Sequence, residues 1–271
     1  VKNRRMVMEL DKGWKTWLCD KSAYGHTDNA PTVVDIPHNW DDYYGYRQLT
    51  HGNLHGTAMY EKTFTLDNSQ FPISDSSFGK RYFLRFEGVG TYATVTLNGK
   101  DFGRHPVGRT TLTLDVTEAL KPGENRLAVQ VFKWTDGSYL EDADHWRMAG
   151  IHREVFLSAK PDAAIGDFGV RTIFDADMRD ALLQIRPAID LREGASAAGW
   201  QLGARLYAPD GTPSGRELTL PVEEILAEAY PQRDNVYYPL MERLVRAPCR
   251  WTAETPYLYT LVLTLRDAQG A

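Results

Sequence analysis

The densest run of chemically capable side chains is residues 134–155, WTDGSYLEDADHWRMAGIHREV. A run of acids, Glu141, Asp142 and Asp144, stands among Trp134, Trp146, His145, His152, Arg147 and Arg153. Two carboxylates that work as a catalytic pair must straddle the bond they break, and neighbours in one loop rarely do. No catalytic residue is therefore assigned in this chain. An ion-paired loop, with Arg147 and Arg153 as bidentate partners, accounts for Glu141 and Asp142. A second cluster, THGNLHGTAMY (50–60), carries Asn53 between His51 and His55. Asparagine in such a run reads first as a turn residue, and the histidines as exposed loop side chains. Cys19 and Cys249 are far apart in sequence, and no Cys/His spacing of the metal-binding type occurs.

The elements that must hold these clusters read as strands. RYFLRFEGV (81–89) is rich in aromatic residues, and ATVTLNGKDFG (93–103) alternates Ala93, Val95 and Leu97 against Thr94 and Thr96. It turns at Asn98-Gly99, where both positions tolerate positive φ, which is a strong hairpin signal. TLTLDV (111–116) alternates again, and LKPGENRLAVQVF (120–132) places Leu127, Val129 and Val131 on one face after a Pro-Gly turn. Short strands spaced by Gly, Pro and Asn turns predict an all-β sandwich or jelly roll. Residues 134–155 would then be a strand end, a long loop and a returning strand.

A boundary falls near SAKPDAAIGDF (158–168), beyond which every basic residue is arginine. The division expected is 1–161 and 162–271. In the second part Leu183, Ile185, Ile189 and Leu191 alternate, then Trp200, Leu202, Ala204 and Leu206, with an APDG turn at 208–211. Tyr259, Leu261, Leu263 and Leu265 alternate near the end. That is an immunoglobulin-like pattern without the cysteine pair of antibody domains. VEEILAEA and LMERLVR, within 222–246, read as a helical turn or two each.

The bulk numbers exclude several classes. The chain has 271 residues, 42% hydrophobic and 25% charged, which is ordinary for a globular protein. A net charge of −5 argues against nucleic acid as partner, since phosphate backbones call for a basic surface. No apolar run is long enough for a membrane span. The compartment stays open between cytoplasm and periplasm.

LKPGENRLAVQV, WTDGSYLEDADHWRMAGIHREVFL and WTAETPYLYTLVLTL (251–265), in that order, resemble the N-terminal half of glycoside hydrolase family 2, above all its β-galactosidase branch. VVDIPHNWDDYYGY (33–46) resembles the family's early Pro-His-x-Trp segment. The resemblance implies an all-β chain: a jelly-roll β-sandwich of sugar-binding type followed by an immunoglobulin-like β-sandwich that lacks its last strand. It implies that catalysis belongs to a (β/α)8 barrel later in the polypeptide, where two glutamates about 5–5.5 Å apart would carry retaining hydrolysis. This chain would be inactive alone, with that barrel and a β-galactoside-type carbohydrate as partners and a full-length protein able to form a homo-oligomer.

The resemblance also assigns site residues. Asp144 matches the position whose carboxylate reaches the sugar and a bound monovalent cation. A carboxylate suits both, as acceptor for sugar hydroxyls and as oxygen ligand for a hard cation. Asn53 matches a loop asparagine that leans over the same pocket. Magnesium is the other ion implied for the full-length enzyme, and no cofactor is expected within this chain. Trp134, Trp146, Trp40 and His38 would pack at a domain junction rather than form a stacking platform. The rival readings are a free carbohydrate-binding module, a structural or adhesion sandwich pair, and the β-glucuronidase or β-mannosidase branches.

Overall fold

The structure is a computed structural model, and it describes residues 6–19, 30–40, 56–67, 80–106, 108–140, 149–227 and 239–270. The chain divides into two compact units, Val1–Pro161 and Asp162–Ala271. The first unit contains β1 (Met6–Glu9), β2 (Trp14–Leu18), β3 (Thr32–Val34), β4 (Thr57–Leu66), β5 (Lys80–Phe86), β6 (Val89–Gly90) and β7 (Tyr92–Leu97). It continues with β8 (Lys100–His105), β9 (Leu112–Asp115), β10 (Gly123–Phe132), α1 (Asp136–Leu140), β11 (Gly150–Ile151) and β12 (Val155–Pro161).

A four-stranded sheet of order β1-β12-β5-β9 and a six-stranded sheet of order β3-β2-β4-β10-β7-β8 form the jelly roll, with β11 and β6 as a separate pair. The alternation read from the sequence is what fills its interior. Ala93, Val95 and Leu97 of β7 and Leu127, Val129 and Val131 of β10 are all buried. They lie in register, Leu127 opposite Leu97 and Val129 opposite Val95. Trp14, Tyr60 and Phe86 are the bulkiest fully buried side chains. Each contributes about 1.5–3 kcal/mol by leaving water. The β7–β8 turn has Asn98 at φ 52° and Gly99 at φ 85°, as its Asn-Gly pair requires.

The second unit contains β13 (Ala163–Phe174), β14 (Ala181–Leu191), β15 (Gln201–Tyr207), β16 (Leu218–Pro221), α2 (Val222–Leu226), β17 (Met241–Val245) and β18 (Thr260–Arg266). Two three-stranded sheets, β13-β14-β17 and β16-β15-β18, make the immunoglobulin-like sandwich. Its core is built on Leu183, Ile185, Leu202, Ala204 and Leu206.

VEEILAEA does form a short helix, with Val222 and Ile225 buried. LMERLVR does not. It supplies β17, paired with β14 so that Met241 lies opposite Ile185 and Val245 opposite Ala181. Met241, Arg243 and Val245 share one face at a period of two, and a waiting strand edge decides for the extended form over a local helical preference. Residues 134–155 also depart from the expected strand–loop–strand reading, because α1 interrupts them. Thr135 donates its backbone N–H to Ser138 Oγ, which ties off the start of this short turn.

Candidate functional site

Asp144 and Asn53 both lie outside the described residues, as do Glu141, Asp142, Trp146, Arg147, His51 and His55. What the structure defines is the ground from which their two segments, 41–55 and 141–148, leave and return.

The first segment departs after Trp40 and the second returns at Ala149, and these ends are bonded to each other. Trp40 donates its backbone N–H to the Ala149 carbonyl at 3.2 Å, and His38 donates to the Ile151 carbonyl at 2.8 Å. Ala149 N–H returns a bond to Asn39 Oδ1 at 3.1 Å. Gly150 makes this approach possible. Its φ is +150°, and a Cβ there would overlap the His38 carbonyl oxygen and stand 3.0 Å from Asn39 Cα.

The return of 41–55 meets the end of β10. Lys133 donates its N–H to the Gly56 carbonyl at 2.7 Å, joining the return of 41–55 to the strand end that leads into α1. The Lys133 carbonyl accepts from Thr91 Oγ1 at 2.9 Å and from Ser138 Oγ at 3.1 Å. Three of the four ends, at Trp40, Gly56 and Ala149, are therefore bonded to neighbouring elements of the same unit, and 141–148 departs from the end of α1. Under this ground the fully buried Tyr60 sets its hydroxyl 2.8 Å from His38 Nδ1. Its ring lies 6.4 Å from both Trp14 and Trp40. Trp40 packs against the jelly-roll core.

His152 flanks the site on the β11 side. Its N–H donates to the Gly88 carbonyl at 3.1 Å. The imidazole lies on the glycines of the β5–β7 region: a Cβ on Gly88 would stand 2.5 Å from Nε2, and one on Gly90 would stand 3.3 Å from Cε1. Burial pushes the imidazole below its usual pKa, with Arg153 and Arg109 adding to the shift and a Gly150 backbone bond opposing it. Arg153, expected to pin the acidic loop, is exposed, and the loop it would pin lies outside the described residues.

Lys133 went unremarked in the sequence and is the most consequential residue here. It is 4% exposed, a lysine inside the jelly roll, with Nζ 5.1 Å over the Trp134 ring centroid. The available signal was its place directly after the alternating run Leu127, Val129, Val131, which continues the inward phase at position 133.

Among the described residues no group of three or more His, Cys, Asp or Glu could hold a metal ion. The second unit has a cleft of about 400 Å³ lined by Val170, Phe174, Leu183, Leu206, Trp251 and Tyr259, among others. No Asp, Glu or His lines it, and its titratable lining is Cys249, Arg250, Tyr257 and Tyr259. Among the described residues no helix is long and apolar enough to cross a membrane.

Comparison with known proteins matches both units to family signatures. The signature described as "Glycosyl hydrolases family 2, sugar binding domain" covers residues 29–161, and "Glycosyl hydrolases family 2" covers 163–271. A β-galactosidase of Pseudoalteromonas haloplanktis is 31% identical over 244 residues, 88% of this chain and 23% of that protein. A β-galactosidase of Aeromonas hydrophila is 40% identical over 217 residues, 79% of this chain and 19% of that protein. The solved β-glucuronidase 2 of Bacteroides uniformis superposes with a TM-score of 0.70 at 25% identity, over 97% of this chain and 31% of that one. The chain thus spans about a fifth of the length of the curated relatives it matches.

Proposed function

Because the chain belongs to glycoside hydrolase family 2, we propose that it is the non-catalytic N-terminal part of a retaining β-glycosidase, and that its substrate is a β-galactoside. The observation that carries this reading is the pair of family matches in order, one per compact unit, together with β-galactosidase relatives at 31% and 40% identity. Fold alone would not select the sugar.

The role of this chain is to present polar groups to a sugar bound against the catalytic barrel. Asp144 accepts hydrogen bonds from sugar hydroxyls and supplies one oxygen to a monovalent cation. Asn53 donates and accepts from the adjoining loop. The support is that Trp40, where 41–55 departs, is bonded to Ala149, where 141–148 returns, and that Gly56, where 41–55 returns, is bonded to Lys133 ahead of α1. Side chains from both can then serve one ligand. Magnesium would be held by the rest of the polypeptide. No step of the reaction is assigned to either ion.

The test is a nitrophenyl β-glycoside panel on the full-length protein and, separately, on the 271-residue chain. The β-galactoside should be turned over best by the full-length protein, and nothing by this chain alone. Preference for a β-glucuronide or β-mannoside would move the protein to another branch. Turnover by the 271-residue chain itself would overturn the non-catalytic assignment.

A further inference from the structure

We propose that the cleft of the second unit is a strand-acceptor groove, filled by polypeptide that follows Ala271 and returns antiparallel along the open edge of β18. The inference shares with the functional reading above only the premise that the polypeptide runs on.

Strand β18 ends the sheet order β16-β15-β18, and among the described residues its ladder runs to β15 alone. Its other edge presents backbone N–H and C=O groups, a template for one more strand. Beside that edge the interior of the sandwich is open. On β13, Val170 lies opposite Ile185, Thr172 opposite Leu183 and Phe174 opposite Ala181. Cross-strand partners project to the same face. Ile185, Leu183 and Ala181 are buried, so Val170, Thr172 and Phe174 are turned inward with them. Yet Val170 is 46% exposed and Thr172 is exposed too. Both line the cleft of about 400 Å³, as do Leu206 and Leu261 of the opposite sheet. An inward apolar face left this wet lacks a cover. After β18 the chain turns back. Gly270 donates its N–H to the Asp267 carbonyl at 2.9 Å, Gln269 donates its N–H to Asp267 Oδ1 at 3.0 Å, and Gly270 has φ +83°. Aspartate at the first position and a left-handed glycine at the fourth make a hairpin turn, which sends the chain back beside the strand it left. The matches cover 23% and 19% of the two β-galactosidases, leaving most of each relative outside the match. Strand β18 has 7 residues. The occupant is a strand of similar length whose alternate, apolar side chains enter the cleft between Val170 and Leu261.

The experiment compares hydrogen exchange of the β18 amides in the 271-residue chain and in the full-length protein. In the full-length protein the amides of 260–266 that β15 does not bond should exchange more slowly by about a hundredfold. Val170→Lys tests the cleft itself. In the 271-residue chain a lysine at this open position reaches water, and the second unit should melt within about 2 °C of wild type. In the full-length protein the same lysine meets the returning strand, and β18 protection should fall to the level of the short chain. Equal β18 exchange in the two wild-type proteins would overturn the proposal. So would full protection of β18 in the full-length Val170→Lys variant, because nothing would then fill the cleft. A second unit unfolded by the lysine in the short chain would also overturn it, since position 170 would already be covered there. Protection in the 271-residue chain that grows with concentration, alongside a dimer, would assign the groove to a second copy instead. A full-length protein that turns over no β-glycoside would defeat the functional reading and leave the exchange result standing.

Discussion

Replacing Gly150 by alanine should unfasten the ground on which both site segments stand. Gly150 lies in β11 between the two carbonyls, of Ala149 and Ile151, that receive the Trp40 and His38 N–H groups. An added Cβ would overlap the His38 carbonyl oxygen and come within 3.0 Å of both His38 C and Asn39 Cα. These are backbone atoms, so no side chain can swing aside. Forcing atoms into a packed interior costs about 1–3 kcal/mol. The φ of +150° is a conformation that alanine rarely adopts, and holding a non-glycine residue there costs about 1–3 kcal/mol more. The central expectation is roughly 4 kcal/mol. For a unit of this size about 2–4 °C is lost per kcal/mol, so the first unit should melt about 12 °C lower. Calorimetry on the 271-residue chain reads this directly, with the second unit as internal reference. The His38 and Trp40 amides should also lose protection in hydrogen exchange. A melting temperature within about 2 °C of wild type, with those amides still protected, would refute the argument that the close approach demands glycine.

Other expectations follow from the same description. In the full-length enzyme Asp144→Ala should lower kcat/KM by far more than it lowers stability, since a loop substitution away from the core usually costs within about 0.5 kcal/mol; a purely thermal effect would make Asp144 an ordinary ion-pair partner. His152 is held below its usual pKa chiefly by burial, so the fold favours the neutral ring. Its contribution is present above the unfolded value of about 6.5 and is lost as pH falls through the lower folded value. Acid titration of stability should therefore show a destabilising limb that begins near pH 6.5 and levels off below the folded value, and His152→Gln should flatten it. Tyr60→Phe removes the 2.8 Å partner of His38 Nδ1 and should cost about 1 kcal/mol, measured by urea denaturation. Ile185→Ala, at a fully buried position of the second sandwich, should cost about 2–5 kcal/mol and lower only the transition of that unit.

Most strands of both units were legible because their signals are local. Alternation in 93–97 and 127–131 depends on the period of a pleated chain, and the Asn98-Gly99 turn on two residues that accept positive φ. Neither needs knowledge of what lies opposite. LMERLVR was misread for the complementary reason. Five residues can satisfy a helix or a strand, and the edge of β14, some sixty positions earlier in the chain, settles it. The site divides the same way. The unusual composition of 134–155 was visible as letters, and the family resemblance rode on it. That Trp40 is bonded to Ala149, that Gly56 is bonded to Lys133, and that Lys133 is sealed from water were decided only in three dimensions. Residue types and spacing set what a segment can do along the chain. Burial, and contact between residues a hundred positions apart, come from the closing of one sheet on another, and only the tertiary structure carries them.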